Sequence, residues 1–568
     1  MVIPSLPFRV FLALVLDITI LTFAYPAAFV LTHGLAPAGW PTGELDPFSW
    51  FEHLSRLYLI QTDLKPVFAL LFDMLRGKAS ALPYGGWPVG YGLMAFLAVA
   101  PVLILVGAAS VPARYGSSRY GNARWASSKE LRSMRRGLEL GRDPDTGRAV
   151  RVLIEGNLLT IAPPRTGKTS GLILPNLVLP EQGAWGGPVV VFDPKGEVYR
   201  ATRRRRAAMG RSVHCIDPLG LIGGTDRWNP LLHIDPEDTI GLLSMAGALL
   251  PEPKGEADAN QYFRDRASVL VATALRLSLS TGQAAAAAAT ASDFLRDLDG
   301  FVRALAHHTD ALSRDAQAIL TSDPRSRDSL VSTASQAIQF LLDERLRSVM
   351  SDHTVDLADL AADAIDLFIV TPADGRRTIL APYLRWLLAD LFDTIRRNRP
   401  AERIVVIIDE ANVLGRCDAI VKGVGELPGY GISLWTFWQS RYQIIENYGT
   451  AGANVMLDTA EVTTLFNTSR VLPDEADYWS RAIGSFTGVG VSTAPNAQGR
   501  IVETNSAVEE RLVPASALNE TTQRRAIHFL SGASHTPHPL LLDKTRPFDD
   551  PRFAGLLDPV EPVGRIKA

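Results

Sequence analysis

The stretch Asn157-Leu-Leu-Thr-Ile-Ala-Pro-Pro-Arg-Thr-Gly-Lys-Thr-Ser-Gly-Leu-Ile-Leu-Pro175 decides the fold class. A short apolar run leads into Ala162-Pro163-Pro164-Arg165-Thr166-Gly167-Lys168-Thr169 and then into a helix-forming segment. Such a strand–loop–helix is a phosphate cradle: successive backbone N–H groups point at the β-phosphate, the lysine ammonium reaches the β- and γ-oxygens, and the threonine hydroxyl ligates Mg²⁺. The helix N-terminus adds partial positive charge. Ala162 stands where the GxxxxGK[ST] pattern carries its first glycine. The bland alternative is a Gly-Lys-Thr turn that merely opens a helix.

Working outward, the second half of the site lies far downstream. Arg403-Ile-Val-Val-Ile-Ile408 is a β-branched run without polar alternation, and it ends in Asp409-Glu410. Such a run reads as a central parallel strand covered on both faces, and acids just past its C-terminal end lie where open α/β sheets bind ligands. Further apolar strands are expected at Val189–Phe192, ending in Asp193-Pro-Lys-Gly-Glu197, at Val213–Ile216, at Ile365–Val370, and at Ile432–Phe437, ending in Trp438-Gln439. Shorter candidates are Val462–Phe466 and Ala526–Phe529. Strands alternating with helices at these spacings predict βαβ units and a parallel, doubly wound sheet.

The texture changes between Asp235 and Leu360. Ala and Leu dominate, β-branched runs vanish, and apolar residues recur at helical spacing through Tyr262–Leu277, Phe294–Leu305 and Thr333–Leu346. An all-helical insertion domain, residues 235–360, is expected between two parts of an ATPase domain, residues 151–234 and 361–548, with a short tail at 549–568. Within the first part, Arg203-Arg204-Arg205-Arg206 sits on an expected helix. Four consecutive bases wrap around a helix and cannot all line one contact surface, so a solvated face competes with a DNA or phosphate contact.

Two apolar runs of about 22 residues, 10–31 and 89–111, each suffice at ~1.5 Å per residue to cross a ~30 Å hydrocarbon layer. They define a membrane anchor, residues 1–112, with a connecting loop at 33–86. That loop holds only Arg56, Lys65, Arg76 and Lys78 as bases, whereas residues 113–150 present Arg114, Arg119, Arg124, Lys129, Arg132, Arg135, Arg136 and Arg142. The asymmetry predicts that both termini and the ATPase part are cytoplasmic, with the loop outside. Asp17 within the first span is read as pairing with a neighbouring helix. The formal net charge of −3 gives no global nucleic-acid signature, so any DNA contact comes from a local patch or a channel between subunits. Cys215 and Cys417 are too few and too far apart for a disulfide framework and read as core residues. In the basic segment, Ser127 or Ser128 is expected to cap a short helix with Glu130 in its first turn.

Phosphoryl transfer needs positioning and charge neutralisation more than covalent help. Lys168 is expected to hold the phosphates, Thr169 and Asp409 the Mg²⁺, and Glu410 to polarise the attacking water. Ala162, Pro163, Pro164, Arg165, Thr166, Gly167, Lys168, Thr169 and Ser170 form the expected ATP cradle. Gln439, at a neighbouring strand end, is placed to feel the γ-phosphate, although a Gln there is ordinarily a polar terminus. Arg376, Arg377, Arg416 and Arg441 are all eligible to complete the site from a neighbouring subunit, and none stands out.

With these pieces assembled, the chain resembles type IV coupling proteins of the TraG kind, the conjugation-associated relatives of FtsK and HerA translocases. The resemblance rests on Tyr120-Gly-Asn-Ala-Arg-Trp-Ala126, the loop Ala162–Thr169 with Leu174-Pro-Asn-Leu177, Asp193-Pro-Lys-Gly-Glu-Val-Tyr199, Trp228-Asn-Pro-Leu231, Asp409-Glu410 and Gln439. It implies an α/β fold with a RecA-like P-loop nucleotide-binding domain, an all-helical insertion domain that reads substrate, and two N-terminal transmembrane helices. It also implies a homohexameric ATPase that receives single-stranded DNA, without sequence preference, on a relaxase, or else effector proteins, and passes them to type IV secretion channel components. Glu426-Leu-Pro-Gly-Tyr430 lacks the Arg or Lys often seen there in relatives, and a long acidic C-terminal segment is missing. The competing readings are a receptor ATPase dedicated to protein effectors and a membrane scaffold that binds nucleotide without turnover.

Overall fold

The computed structural model describes residues 120–250, 258–281, 286–468, 472–495, 501–532 and 536–559. The two expected spans, their loop and Asp17 lie outside these residues, and among the described residues no helix is long and apolar enough to cross a membrane.

The strands are β1 (Leu138–Arg142), β2 (Ala149–Val152), β3 (Asn157–Ile161), β4 (Val189–Pro194), β5 (Ser212–Ile216), β6 (Ile365–Thr371), β7 (Ile404–Ile408), β8 (Ile432–Trp438), β9 (Ala460–Leu465), β10 (Ser485–Pro495), β11 (Ile501–Arg511), β12 (Arg525–Leu530) and β13 (Leu540–Asp543). Eleven of them form one sheet in the order β2-β1-β13-β12-β9-β3-β8-β7-β4-β6-β5. From β9 to β5 every neighbouring pair is parallel. The β2-β1-β13-β12 flank is antiparallel and joins β9 antiparallel. The expectation of a parallel sheet is therefore corrected to a mixed one. An antiparallel flank on a parallel sheet is a common solution where the crossover helices end.

The parallel strands are apolar throughout because both faces are covered. Val190, Phe192, Val406, Ile408 and Leu434 enter one buried cluster, while Val189, Val191, Val405, Ile407 and Trp435 enter another. Alternate residues of one strand necessarily face opposite ways. Between β5 and β6 the described residues are helical, including Thr239–Leu249, Asp258–Ser280, Ala287–Phe294, Leu298–Leu305, Ala311–Leu320 and Pro324–Ala337. Leu270, Leu275, Phe301 and Leu330 from these helices share one continuous buried cluster with sheet residues. Aspartates at 238, 297, 310 and 323 cap four of these helices by accepting a backbone N–H.

The motif blocks act as fasteners between these layers. Asn176, buried, accepts the Glu139 N–H and donates to the Glu139 and Leu172 carbonyls, which ties the helix after the phosphate loop to β1. Trp228 is fully buried and donates Nε1–H to Asp390 at 2.7 Å. Ser127 and Glu130 form a capping box on the helix Ser128–Leu131. Asp550 and Arg552 lie beyond the expected tail boundary, yet Arg552 pairs with Glu139 and Glu181, and Phe553 is buried.

All four arginines of the 203–206 run have local partners. Arg206 is fully buried and clasps both oxygens of Asp366 at 2.6 Å; Arg205 donates to the Val178 and Leu179 carbonyls; Arg204 pairs with Asp558; Arg203 lies over the Tyr199 ring. Cys215 and Cys417 are buried and free. β10 and β11 form a two-stranded sheet of their own, Phe486 at the start of β10 bridges antiparallel to Asn122, and residues 487–508 belong to a compact unit distinct from that of residues 120–486 and 509 onward.

Candidate active site

The C-terminal ends of four central strands converge. β8 lies between β3 and β7, with Ile161 opposite Trp438 and Ile408 opposite Thr436. β4 flanks β7 on its other side, with Phe192 opposite Ile408. The next residue on each strand is thus Ala162, Gln439, Asp409 or Asp193, so residues hundreds of positions apart emerge side by side.

The phosphate loop leaves β3 at Ala162, which is fully buried and donates its N–H to Trp438 O at 2.7 Å. Its φ is not positive, so a glycine is not required there; the left-handed positions of the loop are Arg165 at +63° and Gly167 at +84°. Thr166 Oγ1 donates to Pro163 O, and Ser170 Oγ to Gly167 O, which closes the turn on itself. The helix then opens as a π-helical turn, Thr169–Ile173, a form that recurs at functional sites.

Asp409 draws two loop residues together. Lys168 Nζ lies 2.6 Å from Asp409 Oδ1, and Thr169 Oγ1 donates to Asp409 Oδ2 at 2.9 Å. Glu410 follows in a left-handed conformation, φ +71° and ψ +61°, which is costly for a side chain bearing a Cβ. Glu410 Oε1 accepts from Gln439 Nε2 at 3.2 Å and meets Arg377 NH1 at 3.4 Å. The hydroxyl and carboxylate oxygens of Thr169 and Asp409 are hard donors of the kind Mg²⁺ takes, and a lysine ammonium beside them suits polyphosphate.

Of the four eligible arginines, Arg377 alone reaches Glu410 of its own chain. Arg376 pairs with Asp374, Arg416 meets Asp418, and Arg441 lies 4.1 Å over the Tyr478 ring. The sequence reading assigned Asp193 no role. It is fully buried, accepts the Tyr199 N–H at 2.8 Å, and burial pushes its carboxyl up to about 7, opposed by the Tyr199 and Val198 N–H groups and reinforced by the neighbouring Asp409 charge. An acid at the end of an all-apolar strand, in register with Asp409, was the available signal.

The chain matches the family described as Type IV secretory system Conjugative DNA transfer over residues 128–554, well over half of its length. It belongs to that family. Among curated proteins similar to it, Protein VirD4 of Rhizobium rhizogenes is 24% identical over 453 residues, covering 75% of this chain and 65% of that protein. Conjugal transfer protein TraG of Escherichia coli is 25% identical over 427 residues, covering 65% of each. The chain thus spans just under two thirds of the length of these relatives. In fold, it resembles the plasmid coupling protein TrwB in complex with the ATP analogue ADPNP, at a TM-score of 0.57 and 17% identity, covering 75% of this chain and 94% of that one. It likewise resembles TrwB in complex with ADP and Mg²⁺, at 0.56 and 16%, covering 76% and 96%.

Proposed function

We propose that this chain is a membrane-anchored coupling ATPase that receives single-stranded DNA carried by a relaxase and feeds it to a type IV secretion channel, working as a homohexamer at the bacterial inner membrane. The observation that carries the ATPase part is the convergence of Lys168 and Thr169 on Asp409, with Glu410 bonded to Gln439. The membrane part rests on the apolar runs 10–31 and 89–111 and the basic flank that follows them. The DNA part rests on family membership and on TrwB, VirD4 and TraG being named as coupling or conjugal transfer proteins.

In this reading the loop amides and Lys168 bind the β- and γ-phosphates, displacing the ammonium from Asp409. TrwB binds ADP with Mg²⁺, and in this chain Thr169 and Asp409 would hold that ion. Mg²⁺ supplies charge neutralisation at the phosphate oxygens. Glu410 orients the attacking water and withdraws its proton. Gln439, bonded to Glu410, reports loss of the γ-phosphate to β8, and Arg377 holds the same Glu410 oxygen until the site is filled.

The experiment is ATP turnover by the full-length chain with and without single-stranded DNA of random sequence, across a salt series. Turnover raised by DNA, with an apparent affinity that falls steeply with salt and ignores sequence, is expected from phosphate contacts. Turnover that is indifferent to DNA would remove the translocase reading and leave only an ATPase.

A further inference from the structure

Arg385 sits on the inward stripe of the helix Arg376–Arg397, with Ala381 and Leu388 one turn either side of it, and is only 6% exposed. Among the described residues it pairs with no carboxylate. Its guanidinium is instead divided among three carbonyls: Nε donates to Ala248 O at 3.2 Å, NH2 to Leu249 O at 3.1 Å, and NH1 to Leu414 O at 2.9 Å. Burial pulls its pKa down, and the Asp418 charge only partly offsets that. A hydrophobic side chain would be the simpler way to fill such a position, so the geometry of the three carbonyls is what the arginine serves.

Those carbonyls belong to two separate parts of the chain. Ala248 and Leu249 end the helix Thr239–Leu249, the first of the helical block, where terminal carbonyls lack intrahelical partners. Leu414 closes the turn Ala411–Leu414, whose first flanking residue is the left-handed Glu410. The same helix reaches that turn at its other side, since Arg377 in its first turn contacts the Glu410 carboxylate. Arg264, from the helix Asp258–Ser280, donates to Leu250 O and Gly247 O at the same helix end and lies 3.7 Å from Asp418. A planar fork with five donors can serve three acceptors at once; a lysine ammonium could not span them.

We propose that Arg385 is a positioning residue that ties the end of the helical block to the turn carrying Glu410, so that substrate load on the block alters the setting of the water-orienting carboxylate. This rests on the functional reading above. Arg385 does not touch the nucleotide; it acts through the Leu414 carbonyl and the turn beneath Glu410.

The test compares full-length wild type with Arg385→Gln and Arg385→Lys by the ratio of ATP turnover with single-stranded DNA to turnover without it, a ratio that a reduced active fraction does not change. The glutamine variant is expected to lose most of the stimulation, about 5-fold or more, and the lysine variant to lose less. A glutamine variant stimulated as strongly as wild type overturns the proposal. Because either variant can fail to fold, hydrogen exchange on the wild type decides independently. A non-hydrolysable ATP analogue should change protection at 411–415 and at 246–250 together, and a change at 411–415 alone overturns the tie. Wild type that binds the analogue but is not stimulated by DNA speaks against the functional reading, and the exchange result then still decides the coupling. A bound analogue that alters neither segment also overturns the tie.

Discussion

Gln439 donates its side-chain amide to Glu410 Oε1 at 3.2 Å across the ends of two adjacent parallel strands. This bond fixes a carboxylate whose backbone is already held in a left-handed conformation. Glu410→Gln should retain nucleotide and hydrolyse it on the order of 10²-fold or more slowly, the range for loss of a general base. Gln439→Ala removes one hydrogen bond to a charged group, and turnover should fall between about 10- and 100-fold. The check is single-turnover ATP hydrolysis beside fluorescent-nucleotide binding. A Gln439→Ala chain that hydrolyses at the wild-type rate would show that the bond positions nothing.

Asp409 should make nucleotide binding depend on Mg²⁺. In the wild type, chelating the ion is expected to weaken ADP binding about 10-fold or more, because the phosphates keep their charge unneutralised. Asp409→Asn should lose most of that dependence and bind ADP with similar affinity with or without the ion. Titrations with and without chelator measure this, and an Asn variant that keeps the full dependence would take the metal role away from Asp409.

Arg206 and Asp366 form a fully buried pair in which each oxygen of the carboxylate meets one guanidinium nitrogen. Removing Arg206 leaves the buried Asp366 carboxylate with only the Val189 N–H at 3.1 Å and Arg211 NH1 at 3.8 Å, so Arg206→Ala should destabilise the chain by about 3 kcal/mol. Arg204→Ala, at an exposed pair with Asp558, should cost about 1 kcal/mol or less. Thermal unfolding separates the two, and a harmless Arg206→Ala would mean that this pair does not hold β6 to the helix Glu197–Ala208.

His528 gives stability an acid limit. It is fully buried on β12, with Nδ1 2.9 Å from Thr464 Oγ1, and burial pushes its pKa down to about 3. The unfolded chain takes up this proton near pH 6.5, whereas the folded chain refuses it until about pH 3. Stability from this group is therefore complete above pH 6.5 and declines as pH falls below it, by at most ~1.4 kcal/mol per pH unit. His528→Asn should flatten the fall in melting temperature between pH 7.5 and 5.5. An unchanged pH slope would mean that other groups set the acid limit.

The phosphate loop, the Asp409-Glu410 strand and the parallel core were legible because burial on both faces leaves an unbroken apolar run, and because Gly-Lys-Thr and paired acids carry their chemistry in their residue types. Of the antiparallel flank only β12 was read, as Ala526–Phe529; its direction and strands β1, β2 and β13 were not. β1 reads Leu-Glu-Leu-Gly-Arg, and its Glu139 is 2% exposed because Arg151 and Arg552 neutralise it. A paired buried charge looks polar in sequence. Arg552 stands more than 400 residues from its partner, inside what read as a short tail. For the same reason the 203–206 run left a solvated face and a DNA or phosphate contact as the two readings, when each arginine has a partner in the fold that no spacing rule discloses. Arg385 was hidden by its own periodicity, a lone cation on an apolar stripe whose acceptors are main-chain atoms.

Lys168 tests the central claim most directly, because its ammonium lies against Asp409 and has no structural duty in the core. The measurement is ATP turnover and DNA transfer by full-length wild type and Lys168→Ala, with equal membrane levels of the two proteins verified. Loss of both turnover and transfer in the variant is expected. Transfer at the wild-type level by a chain that no longer hydrolyses ATP would contradict the account of this protein as an ATP-driven coupling protein.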